Sequence, residues 1–238
     1  LVGAPYPWDH GTAVMGELVG ENQGKGVKGM VYDADVRLSS HLGSSANIGT
    51  AIMHAINAVQ PGDFVVLEVQ CFGGAPDPYP CEFVDSIFAL VQAATANGIH
   101  VVAAGGNGNR NLDDPAFGGK FDRNVRDSGA ILVGASDGSS LNKASFSNYG
   151  SRMDAHGWGF NVTSAGYGDL FSDGVPAYLR TYTATFSGTS SATPIVTGAA
   201  VIANGVYREA FGLPLAPLVL RATLTATSPG TPAAATFR

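Results

Sequence analysis

Three polar residues stand beside glycines where the chain changes character. They are His10 in Asp9-His10-Gly11-Thr12, Asn107 in Gly105-Gly106-Asn107, and Ser190 in Gly188-Thr189-Ser190-Ser191-Ala192-Thr193-Pro194. Together these side chains supply the parts of an acyl transfer. A serine hydroxyl becomes a nucleophile when a neighbouring base takes its proton, and a histidine can take that proton and return it to a leaving amine. An asparagine amide can donate to the oxyanion that develops on the attacked carbonyl. Each residue alone has a plainer reading: a Ser/Thr-capped helix, a buried histidine, a polar turn. The set, not any one member, carries the chemistry.

The elements that must hold these groups follow from the hydrophobic pattern. Val14, Met15, Leu18 and Val19 recur at helical spacing and put His10 at a helix N-terminus. Ser190 precedes a long run of Ala, Val and Ile, which predicts a helix from Ser190 to about Ala203, with Pro194 in its first turn. Residues 63–69, 99–104 and 130–135 are short apolar runs of the kind buried in a parallel sheet, and 34–38 reads as a further strand. Residues 48–59 and 83–97 read as helices, the first stopped by Pro61-Gly62 and the second by Asn97-Gly98. This alternation predicts an α/β fold with a doubly wound, mainly parallel sheet and the site at the carboxyl ends of its strands. Residues 140–186 are rich in Gly, Ser, Tyr and Phe, with short β-like pieces such as 178–183, and 215–226 reads as a last helix. Residues 1–8, with Pro5-Tyr6-Pro7-Trp8, read as a surface segment and the residues up to Arg238 as a loose tail.

The 238 residues suit one domain, 1–238, with a substantial core. Hydrophobic residues make up 45% and charged residues 13%, too apolar for a disordered chain. A net charge of −6 without a Lys/Arg cluster argues against a nucleic-acid partner, and no apolar run reaches membrane-spanning length. The two cysteines, Cys71 and Cys81, flank a segment stiffened by Pro76, Pro78 and Pro80, and read as one disulfide of a secreted protein. Leu1-Val2-Gly3-Ala4-Pro5 has neither the charged nor the apolar region of a signal peptide, which processing would have removed.

His10-Gly11-Thr12, Ala103-Ala104-Gly105-Gly106-Asn107 and Gly188-Thr189-Ser190-Ser191-Ala192-Thr193-Pro194, in this order, resemble the motifs of the subtilisin-like serine proteases, the subtilases. The last is the most specific of the three. The resemblance implies a three-layer α/β/α sandwich and peptide-bond hydrolysis, with Ser190 as nucleophile, His10 as general base and Asn107 as oxyanion donor. It also implies that Cys71, Phe72, Gly73 and Gly74 pair with an extended polypeptide substrate, and that Ala103, Ala104 and Gly105 form the opposite wall of the specificity pocket. Phe72 is larger than the residue usual in the family and is expected at the pocket rim. The chemistry requires no cofactor. Calcium is a candidate ligand of the polar loop 107–114, because the family often binds it.

One member of the family's triad has no counterpart here. The family's order is Asp, His, Ser, with the aspartate at the end of a first strand some tens of residues before the histidine. Only nine residues precede His10, and the one acid among them, Asp9, is adjacent to it and cannot readily turn to its Nδ1. The resemblance therefore implies that the first strand and its aspartate come from an N-terminal fragment or a separate chain. The competing reading is an inactive domain of the same fold that binds proteins. An α/β-hydrolase esterase would need Gly-x-Ser-x-Gly and a histidine after the serine, and position 192 is alanine.

Overall fold

The computed structural model describes residues 9–21, 24, 26–41, 47–74, 76–172 and 181–227. In chain order the helices are α1 (Asp9–Val19), α2 (Ile48–Asn57), α3 (Asp85–Ala96), α4 (Thr189–Phe211) and α5 (Pro217–Thr227). The strands are β1 (Phe64–Leu67), β2 (Gln70–Cys71), β3 (Tyr79–Pro80), β4 (His100–Ala104), β5 (Ile131–Ser136), β6 (Ala155–Trp158), β7 (Val162–Ala165), β8 (Phe171–Ser172) and β9 (Thr181–Phe186). The opening Pro/aromatic segment, the tail beyond residue 227 and the residues 178–180 of the expected strand piece lie outside the described residues.

A parallel four-stranded sheet in the order β1-β4-β5-β6 forms the middle layer. Side chains alternate along its strands, so each strand feeds two cores. Val65, Val101 and Leu132 pack with Ile52 of α2 and with Ile87 and Val91 of α3. Val102, Ile131 and Val133 pack on the other face with Ala192, Val196 and Ala200 of α4 and Leu220 of α5. Each fully buried aliphatic side chain contributes about 1.5–3 kcal/mol, which is why these runs read so clearly as two-sided strands. The result is the expected three-layer α/β/α sandwich with a mainly parallel sheet. Helix α1 stands apart from both cores, packing on α4 and β7.

Several local expectations are corrected. Residues 34–38 form no strand: the segment bends at Ala34 and then has no regular structure or ladder partner, and Leu38 is 76% exposed. Strand-like composition makes no ladder without a neighbour to supply the hydrogen bonds. Helix α4 begins at Thr189 with Gly188 as its N-cap and runs to Phe211, well beyond Ala203. Asn204 and Gly205 do not stop it. Asn204 is instead a buried tie, donating to Gly62 O (3.0 Å) and accepting from Leu215 N (2.9 Å). The helix ends at Gly212, whose φ of +77° suits glycine. Pro194 is therefore inside the helix, not in its first turn, and the carbonyl of Ser190 loses its usual intrahelical donor. Strand β6, with the sequence Ala-His-Gly-Trp, was hidden in the Gly/Ser-rich region and pairs in parallel with β5.

The sheet is braced by a buried ionic cluster. Arg152, 1% exposed, makes a fork to Glu82 (Nε–Oε1 2.7 Å, Nη2–Oε2 3.0 Å) and donates to Asp154 Oδ2 (2.6 Å). Asp154 Oδ2 also accepts from Leu132 N on β5 (2.8 Å). Removing the cation would leave the buried Glu82 carboxylate without the guanidinium it pairs with, while Asp154 keeps Arg123. Arg152→Met is expected to destabilise the fold by about 3–5 kcal/mol, measured as a lower urea midpoint at unchanged slope.

Candidate active site

His10 is the second residue of α1 and Ser190 the second residue of α4, and the two helices pack together. The ring of Phe186, at the end of β9, meets the His10 ring edge-on at 5.8 Å. Burial lowers the His10 pKa, and the charge of His41 adds to the effect, so the ring stays neutral to lower pH than a free histidine. Among the described residues no hydrogen bond joins His10 to Ser190, and no carboxylate hydrogen-bonds His10. Asp9, 2% exposed, lies beside Gly166, where an added Cβ would sit 3.6 Å from its Oδ1.

Asn107 is held more firmly. Its Oδ1 accepts from Thr189 N (2.8 Å) and from Thr189 Oγ1 (3.1 Å), while its own N–H donates to Gln70 Oε1 (2.9 Å). Thr189 Oγ1 in turn accepts from Gly106 N (3.1 Å). With Oδ1 occupied, Nδ2 is the end of the amide left to face outward. Gly188 has a φ of +108°, which favours glycine. A Cβ there would lie at ordinary contact distance, 3.4 Å from Asn107 Nδ2 and 3.5 Å from Ser190 N, so both nitrogens lie close beside this residue at the N-terminus of α4. Nitrogens at a helix N-terminus suit an anion.

The two wall segments take different forms. Cys71 lies in β2, paired antiparallel with Tyr79 of β3, and the expected disulfide to Cys81 is present with a Cα–Cα distance of 5.0 Å. Phe72 is 64% exposed, as expected of a rim residue. Gly73 and Gly74 have φ of +88° and +93°. Gly73 N donates to Asp77 Oδ1 (2.8 Å) and Gly73 O accepts from Tyr79 OH, so both of its backbone groups are engaged by the following loop. On the opposite side, Ala103 and Ala104 end β4, and Gly105 N donates to Val133 O (2.8 Å). A side chain at Gly105 would collide with Met153.

Sequence reasoning missed the residues that hold this frame. Gln70 and Thr189 anchor Asn107, and only Thr189 lay within a recognised motif. Asn148, fully buried, donates to Gly105 O (2.8 Å) and Pro78 O (3.0 Å) and accepts from Gly108 N (3.1 Å) and Arg110 N (2.8 Å), tying both walls together. In loop 107–114, Asn111 Oδ1 accepts from Asp113 N, Asp113 from Ser151 N, and Asp114 from Ala116 N. Each of these side chains accepts a backbone hydrogen bond from within the loop or from a neighbouring segment. Among the described residues no group of three or more His, Cys, Asp or Glu is placed to hold a metal.

Two buried acids were also unforeseen. Glu17, on α1, is 7% exposed, and neither its carboxyl oxygens nor those of Glu68, just past β1, have a hydrogen-bond partner. Burial raises Glu17 to about 9, and the nearby Ser191 hydroxyl does not offset it. Burial raises Glu68 well above the carboxylate range, and Glu17 adds to the shift.

The comparisons with known proteins agree with this geometry. Residues 5–237 match the model of the subtilase family, and the chain belongs to that family. It is 31% identical over 193 residues to subtilisin Savinase of Lederbergia lenta, covering 81% of this chain and 62% of that protein. It is 32% identical over 194 residues to an extracellular serine proteinase of a Thermus species, covering 81% of this chain and 40% of that protein. The chain thus spans 40% to 62% of the length of these relatives. A solved protease from Pseudoalteromonas arctica superposes with a TM-score of 0.67 at 24% identity, over 96% of this chain and 66% of that one. The fold is that of a subtilisin-like serine protease.

The buried acid at Glu17 has a measurable consequence. Its pKa is raised on folding from an ordinary 4.5 to about 9, so the folded state holds the proton more tightly than the unfolded one. Its contribution is complete below pH 4.5 and is lost as pH rises toward 9. Glu17→Gln, which cannot ionise, is expected to gain on the parent by a few kcal/mol across that window. Thermal melts at stepped pH check this; a constant difference between the two proteins would contradict it.

Proposed function

We propose that the chain is the larger part of a serine endopeptidase domain acting on polypeptides. Ser190 attacks the scissile carbonyl while His10 takes its proton. The tetrahedral oxyanion accepts hydrogen bonds from Asn107 Nδ2 and the Ser190 N–H. Collapse expels the amine, protonated by His10, and water hydrolyses the acyl-enzyme by the same route. The observation that carries this reading is the proximity of Asn107 Nδ2 and Ser190 N, both beside Gly188 at the N-terminus of α4, with Oδ1 of the same amide held by Thr189. That arrangement suits an anion.

The aspartate that would orient His10 is assigned to an N-terminal segment or a separate chain, since none of the described carboxylates hydrogen-bonds the ring. The substrate backbone runs between residues 71–74 and 103–105, with Phe72 at the rim and the Cys71–Cys81 disulfide bracing that wall. The disulfide, and the relative named as extracellular, support secretion. A protein-binding domain of the same fold is the second reading, favoured by the lack of a carboxylate on His10 among the described residues.

A fluorophosphonate probe separates the two. On the full-length protein it is expected to form an adduct on Ser190, read by mass spectrometry of the labelled peptide, and to block hydrolysis of casein. Folded protein that takes no label would leave only the binding reading. Ser190→Ala is expected to abolish hydrolysis; retained turnover would remove its assigned role. Asn107→Ala is expected to lower kcat by roughly 100- to 1,000-fold with KM little changed, a magnitude measured in a subtilisin and therefore carried over from the family. A change confined to KM would argue against an oxyanion contact.

A further inference from the structure

A cavity of about 300 Å3 opens beside the oxyanion space, lined in part by Asn107 and Gly188. It contains none of the residues assigned to the acyl side of a substrate, neither 71–74 nor 103–105. Its wall Phe186 touches the ring of His10, the group that hands a proton to the departing amine. On that chemistry the cavity receives the part of the substrate that follows the scissile bond.

Its composition is specific. Three aromatic rings, Phe146, Tyr167 and Phe186, form the walls, and Asp169 contributes a carboxylate. Phe146 is backed by Phe160 at 5.0 Å, and Tyr167 leans on Phe186 at 6.0 Å, so the rings brace one another. Asp169 Oδ2 accepts from Ala184 N (3.1 Å) and Thr185 Oγ1 (3.2 Å). Burial pushes its carboxyl up, but the bonds from Thr183, Ala184 and Thr185 outweigh this and hold it below its ordinary value. Among the described residues no lysine or arginine forms a salt bridge with it. An ionised carboxylate among aromatic faces is the environment that a cationic side chain fills, by charge and by cation–π contact. A neutral apolar side chain would desolvate Asp169 without compensation, and an acidic one would be repelled.

We propose that this cavity is a specificity site for a basic residue, arginine before lysine, at the first or second position beyond the scissile bond. The inference rests on the peptidase reading above. Arginine is favoured because a planar guanidinium can stack on a ring and pair with a carboxylate at once, which an ammonium cannot. The net charge of −6 draws the same class of substrate toward the protein.

The test uses the full-length protein and internally quenched fluorescent peptides that differ only at those two positions, carrying arginine, norleucine or glutamate. At one position arginine is expected to raise kcat/KM roughly five- to tenfold over norleucine, with glutamate lowest. Asp169→Asn keeps an acceptor for Ala184 N and is expected to bring the arginine-to-norleucine ratio to within twofold. Asp169→Arg is expected to invert the arginine-to-glutamate order. Two controls read the peptidase site alone: fluorophosphonate labelling of Ser190, and hydrolysis of a peptide p-nitroanilide with no residue beyond the scissile bond. If both controls succeed and the ratio is flat, or survives Asp169→Asn, the specificity site is refuted and the peptidase reading stands. If both controls fail, the peptidase reading falls and this proposal falls with it.

Discussion

The frame of the site depends on one amide. Asn107 Oδ1 takes both donors of Thr189, the backbone N–H and the hydroxyl, and so joins the loop after β4 to the first turn of α4. One side of this joint is a strand buried between two helical layers, and the other is a 23-residue helix that spans the sheet. Neither can shift without breaking the bond. The same contact orients the remaining end of the amide, because an asparagine has one acceptor and one donor group and the acceptor is taken. A single side chain thus both links the two elements and sets which end of its amide stays free, beside Gly188.

Rigidity is unevenly distributed around that joint. Asn148 and the Arg152–Glu82–Asp154 cluster fix the β4–β5–β6 side with buried, satisfied polar groups. The other helix of the site, α1, has a smaller core of Ala13, Val14 and Leu18 against Phe186, and it carries Glu17 with an unsatisfied carboxyl. Asn107 and Ser190 are therefore built into the main body, whereas His10 rides on an element with fewer ties. The difference falls between the groups proposed to stabilise charge and the group proposed to move protons.

Much of this was legible before any coordinates. The parallel sheet showed itself because strands buried on both faces must be apolar throughout, as 99–104 and 130–135 are. Part of the site motifs showed itself because glycine is favoured where φ is positive, as at Gly188. What stayed hidden had local reasons. Residues 34–38 have strand-like composition, but a strand needs a neighbour, and composition does not report one. Strand β6 is short, with a glycine and a histidine in it, and it forms only because β5 offers a partner. Gln70 and Asn148 are single polar residues whose importance lies in contacts 37 to 70 positions away. Helix α4 outran its expected end because Asn204, a usual stop signal, is satisfied by distant backbone groups.

Strand β1 lies at one edge of the parallel sheet, and among the described residues only its inner side is paired. An unpaired row of amides and carbonyls is a template on which any extended chain can dock. Which chain docks is a matter of effective concentration: a tethered segment of the same protein wins over a neighbour's when it is present. Left uncovered, that edge is therefore prone to pair with the same edge of a second copy, so the strand that completes the middle sheet on one side is also the one that sets its tendency to self-associate.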